Sequence, residues 1–128
     1  EVDGDMVLSE LTSPQIINKD IVENSNSWWL LDTGVTHLVR FVDDVERFDI
    51  AEARKLRYKY DANVNIACVD GKNLKVRTYE RGVEAETLAC GTGMSACFYR
   101  AFLEKKVMNN IEVYPKSGDT LYLGYNTK

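Results

Sequence analysis

Apolar positions along this chain fall into short runs separated by turn residues, with one long apolar stretch late in the sequence. Trp28 to Leu31 and His37 to Val42 flank Asp32-Thr33-Gly34 and predict two strands joined by a tight loop. Asp49 followed by Glu52 is a capping-box pattern, and Ile50, Ala53, Leu56 and Tyr60 recur near helical spacing, which predicts a surface helix over Asp49 to Tyr60. Asn65 to Val69 and Leu74 to Tyr79 are rich in strand formers around Asp70-Gly71-Lys72-Asn73, a hairpin signal. Glu86 to Ala89 predicts a short strand leading into Cys90. From Gly91 to about Lys106 the pattern is helical and apolar on most sides, with Arg100 and Glu104 as one polar stripe, so this helix is expected to be buried. A last hairpin is predicted from Ile111 to Tyr114 and Leu121 to Tyr125, turning at Ser117-Gly118-Asp119. Towards the N-terminus, Asp5 to Leu11 alternates weakly as a strand would, while Pro14 and Asn24-Ser25-Asn26-Ser27 read as turns or loop. Strands before and after one buried helix predict an α+β domain, a mostly antiparallel sheet wrapped around that helix.

Composition narrows the function without naming it. The chain has 128 residues, enough for one domain over residues 1–128. Its net charge of −4 offers no basic surface for nucleic acid. No apolar run approaches the roughly 20 residues a membrane span needs, and the start lacks the pattern of an export signal, so no membrane partner and a cytoplasmic location are expected. Three cysteines, Cys68, Cys90 and Cys97, suit neither a disulfide framework nor a metal-binding CxxC, and no metal is expected. A start at Glu1 without Met and an end at Lys128, in or just after a strand, lead to the expectation of a fragment.

The chemistry is concentrated at Cys90, which stands directly before Gly91-Thr92-Gly93. A helix opening there leaves its first N–H groups without intrahelical partners and carries the positive end of the helix dipole. A thiol so placed ionises more easily. The two glycines, having no Cβ, allow a ligand close to the backbone. Cys97 and Cys68 lie in apolar helix and strand patterns and are expected in the core.

The stretch Tyr79-Glu80-Arg81-Gly82 followed by Glu86-Thr87-Leu88-Ala89-Cys90-Gly91-Thr92-Gly93 resembles the signature of the diaminopimelate epimerases. Leu31-Asp32-Thr33-Gly34 with His37, Phe41-Val42-Asp43-Asp44 and Asn63-Val64-Asn65-Ile66 agree with it. The resemblance runs from about Trp29 to about Gly118 and implies the C-terminal half of a two-domain, cofactor-independent isomerase, with two such halves facing across a cleft. It implies interconversion of LL- and meso-diaminopimelate, in lysine and peptidoglycan-precursor biosynthesis, by a pair of cysteines. Cys90 would be the one from this half. By the same resemblance Glu80 and Arg81 match a substrate-holding pair, Asn63 a substrate-binding asparagine, and Gly91 and Thr92 the donors to the substrate carboxylate. His37 matches a supporting histidine beside the cysteine. Implied partners are an amino-acid substrate and the N-terminal half of the same enzyme, with a homodimer left open. The family pattern Asn-Pro-His stands here as Val35-Thr36-His37, which removes one expected substrate contact.

Other readings of the same residues stay open at this stage. Gly91-Thr92-Gly93-Met94-Ser95-Ala96 also fits a dinucleotide fingerprint, with Glu112 about 20 residues on. Cys90 with His37 as base would suit a cysteine hydrolase. A proline-racemase-like isomerase of another substrate shares the two-thiol logic, and an isolated half-domain without activity fits the same fold.

Overall fold

The computed structural model describes residues 14–124, and the strand expected over Asp5 to Leu11 lies outside them. Within them stand eight strands in one sheet and two α-helices, an α+β architecture. The strands are β1 (Gln15–Glu23), β2 (Asn26–Asp32), β3 (Thr36–Phe41), β4 (Asn63–Asp70), β5 (Asn73–Glu80), β6 (Ala85–Thr87), β7 (Ile111–Tyr114) and β8 (Leu121–Leu123). The helices are α1 (Ile50–Tyr60) and α2 (Gly91–Leu103). The sheet order is β1-β2-β3-β4-β5-β7-β8, and β6 pairs with the far end of β5 beside β7.

Local chemistry explains most of the path. Asn24 and Ser25 take left-handed backbone angles (φ 52° and 66°), the geometry of a two-residue hairpin turn that asparagine tolerates. Between β2 and β3 the Gly34 N–H donates to Asp32 Oδ1 at 2.7 Å while Gly34 sits at φ 106°, which few other residues would accept. Asp49 caps α1 by accepting from the Glu52 N–H at 3.0 Å, and Asp61 ends the helix in the left-handed region. β4 and β5 form a hairpin around Gly71-Lys72, with Asp70 opposite Asn73. Because α1 and α2 each carry the chain over the sheet, β3 pairs parallel with β4 and β5 parallel with β7, while the other pairs are antiparallel.

The strand period of two divides the core. On one face Trp29, Leu31, Val39, Ala67, Leu74 and Val76 pack against Met94, Cys97, Phe98 and Ala101 of α2. On the other, Trp28, Leu38, Val64, Ile66 and Tyr79 pack against Ala53 and Leu56 of α1. The buried helix is therefore α2, with α1 covering the opposite face.

Two expectations need revision. β1 occupies a stretch for which no element was predicted; among the described residues it is an edge strand, mostly exposed, with register shifts between Ile16 and Ile21, so its polar residues are not a burden there. Asn26 and Ser27, expected in the turn, open β2. Arg100, one of the two residues of the polar stripe on α2, is buried with that helix: it donates to the carbonyls of Val39 (2.6 Å) and Ser27 (3.3 Å), and lies over the rings of Trp29 and Phe41 at 4.9 and 5.3 Å.

Candidate active site

β6 is only three residues long, and the chain leaving it places Cys90 at the N-cap of α2. The cysteine is extended (φ −144°, ψ 105°), its carbonyl accepts from the Met94 N–H at 2.9 Å, and its thiol makes no capping bond. No acidic residue stands in the first turn of α2, in contrast to α1 with Glu52. The first N–H groups of α2 and the positive end of its dipole are thus left to whatever anion sits there. Gly91 and Thr92 are exposed and Cys90 is half-buried, so the sulfur is not sealed in the core.

Beneath α2 the inward positions of β3, β4 and β5 are polar where the neighbouring rows are apolar. His37, Asn63, Asn65 and Thr78 are all buried there. His37 is opposite Asn63, and Asn65 is opposite Thr78. His37 Nε2 lies 2.9 Å from Thr92 Oγ1, and Thr92 Oγ1 lies 3.6 Å from Cys90 Sγ. The histidine thus reaches the sulfur through a hydroxyl rather than directly. Burial holds His37 well below the ordinary imidazole range, to about 4; the Arg81 charge adds to this and Asp32 opposes it. It is neutral at neutral pH.

Asn65 is the hub of this row. Its Oδ1 accepts from Thr78 Oγ1 at 2.6 Å, while Nδ2 donates to the Leu38 carbonyl at 2.9 Å and faces His37 Nδ1 at 3.0 Å. A Cβ on Gly93 would come within 2.4 Å of Asn65 Oδ1, so the second glycine of the motif is what lets α2 settle on the asparagine.

The remaining expected residues lie where β4 and β5 approach the same region. Asn63 accepts from the Arg81 N–H at 2.6 Å and donates to the Thr36 carbonyl at 3.1 Å, tying three chain segments together. Arg81 donates through Nη1 to the Asp61 carbonyl at 2.7 Å and lies 3.5 Å from the Asp61 carboxylate. Glu80 ends β5, half-buried. Val35, standing where the family pattern has asparagine, is exposed in the loop before His37. Cys97 is buried and Cys68 half-buried, and burial pushes both thiols up.

Sequence reasoning gave no role to Asn65 or Thr78. The available signal was two asparagines two residues apart in an otherwise apolar strand, which puts both on one face. The dinucleotide alternative loses its footing, because the segment before Gly91 is a short strand of exposed and half-buried residues rather than a buried one. Among the described residues no group of three or more His, Cys, Asp or Glu side chains is placed to hold a metal ion. No described helix is long and apolar enough to cross a membrane.

A buried helix on one face of a mixed sheet, with a second helix on the other face, is a fold shared with solved structures. A PhzF-family phenazine biosynthesis protein from Enterococcus faecalis superposes with a TM-score of 0.55 at 15% identity, over 82% of this chain and 37% of that one. At the level of sequence, the family model for diaminopimelate epimerase matches residues 29–122, and the chain belongs to that family. Diaminopimelate epimerase from a Nitratiruptor species is 55% identical over 128 residues, covering 99% of this chain and 51% of the relative. The enzyme of the same name from Campylobacter jejuni is 48% identical over 129 residues, covering 52% of its own length. The chain spans about half the length of these relatives.

Proposed function

We propose that this chain is the C-terminal half of an isomerase that inverts an α-carbon of diaminopimelate with Cys90 as one of two acid/base thiols. The observation that carries the reading is Cys90 at an uncapped, acid-free helix start. An amino-acid α-hydrogen is weakly acidic, so its removal without a pyridoxal or metal sink requires donors preorganised for the charge that develops on the carboxylate. The N–H groups of Gly91 and Thr92 suit that task. The Cys90 thiolate takes the α-proton from one face, becoming a thiol, and the C–H electron pair spreads into the carboxylate. A thiol on the other face then delivers its proton to carbon and becomes a thiolate; the reverse reaction exchanges the roles. Two groups are needed because one sulfur cannot reach both faces of a tetrahedral centre.

Arg81 and Glu80, at the end of β5, suit the carboxylate and ammonium ends of such a substrate, and Asn63 holds the Arg81 backbone in place. The second thiol comes from the N-terminal half of the enzyme, in the cytoplasm. Exchange with solvent tests the reading. In the protein containing this chain, Cys90→Ala should abolish turnover and the uptake of solvent deuterium at the α-carbon. Deuterium appearing there at the wild-type rate would sink it.

A further inference from the structure

The polar row under α2 has a direction that donor and acceptor chemistry fixes. The Leu38 carbonyl can only accept, so the Asn65 atom 2.9 Å from it is the nitrogen, and Oδ1 is the atom facing Thr78. The Thr78 hydroxyl then donates to Oδ1. The second hydrogen of Asn65 Nδ2 points along the 3.0 Å contact to His37 Nδ1, which must accept it. A neutral imidazole has one N–H, so it stands on Nε2 and donates to Thr92 Oγ1 at 2.9 Å. A hydroxyl that accepts from the ring keeps its own hydrogen for another acceptor, and Cys90 Sγ is 3.6 Å away.

We propose that Asn65 and Thr78 are positioning residues for the reacting thiol: by holding His37 as its Nε2–H tautomer they turn the Thr92 hydroxyl hydrogen towards Cys90. This rests on the reading of Cys90 as the reacting group. Every link donates in the same sense, from Thr78 through Asn65, His37 and Thr92 to sulfur, so the row favours a sulfur that accepts. The charged groups acting on His37 are Arg81 and Asp32, from the ends of β5 and β2, and neither lies in the row.

Histidine-labelled full-length protein tests this by nitrogen NMR at neutral pH, with His37 assigned by its loss in His37→Gln. A single Nε2–H tautomer is expected; an Nδ1–H tautomer in the wild type overturns the proposal. In Asn65→Leu the ring should populate both tautomers, and alkylation of Cys90 by iodoacetamide at pH 7 should slow several-fold. Thr78→Val should do the same, with Thr78→Ser restoring both readouts. Unchanged tautomer and rate in folded Asn65→Leu or Thr78→Val would overturn it too. If Asn65→Leu does not fold, the wild-type spectrum and the two Thr78 variants decide. Failure of the Cys90 reading is separate, since it appears as deuterium exchange in Cys90→Ala and leaves the His37 spectrum as it is.

Discussion

His37 is wholly buried and its pKa is drawn down to about 4, against 6.5 for a solvated imidazole, so the unfolded chain takes up a proton that the folded chain refuses. The sign follows: this group costs nothing above about pH 6.5, and stability drains away as pH falls towards about 4. A shift of this size corresponds to roughly 3 kcal/mol lost by pH 4. Urea unfolding of the wild type and His37→Gln at pH 7, 5.5 and 4.5 measures it. The variant starts less stable, having lost buried contacts, but its stability should fall less steeply over that range. Parallel slopes would refute the assignment. The position of single residues was legible where a motif surrounded them, as with Cys90, Gly91 and Thr92 at the start of α2. They were hidden where their meaning depends on a partner distant in sequence: Asn65 is 28 residues from His37 and 13 from Thr78, and only the register of three strands brings them together.

At the scale of elements, patterns local to a few residues were readable and long-range burial was not. The capping box at Asp49 placed α1 to within a residue, and the hairpin around Gly71 announced itself through its turn. Arg100 belongs to a helix expected to be buried, but the partners that let a charge be buried there, carbonyls of β2 and β3 and the Trp29 and Phe41 rings, are nothing helix periodicity can foresee. The two-sided sheet also separates stability from chemistry. α1 packs on the face away from Cys90 and meets the candidate site only at its far end, where Asp61 holds Arg81, so weakening its start at Asp49 should leave the site's geometry alone. Asp49→Ala removes the acceptor for the Glu52 N–H and should cost about 1 kcal/mol, read as a lower urea midpoint at unchanged slope. The kcat of the full-length enzyme below the unfolding transition should stay at its wild-type value. A fall in kcat without unfolding would show that the start of α1 is coupled to the face that carries Cys90.

For the whole molecule, the sheet decides what this chain can do by itself. Cys68 packs with the α1 side of the sheet, and Cys97 is buried in the core between α2 and the opposite face. Neither can meet a substrate held at the start of α2, so among the described residues Cys90 is the one thiol near that helix end. Around the candidate site the loops carry exposed apolar side chains, Val35 before His37, Val83 after Arg81 and Leu88 before Cys90, at 38%, 56% and 63% exposure. On the proposed reading, contact with the N-terminal half would cover them and exclude water from the thiol, strengthening every interaction aimed at a bound carboxylate. The 128-residue chain, expressed alone, should therefore neither epimerise LL-diaminopimelate nor exchange its α-hydrogen with solvent, and should bind it weakly. Chiral chromatography and deuterium incorporation measure the first two, and calorimetric titration the third. The full-length enzyme assayed alongside should show turnover, exchange and tighter binding. Turnover by the isolated chain would mean that a second acid/base group lies within this half, and the two-thiol division of labour would fall with it.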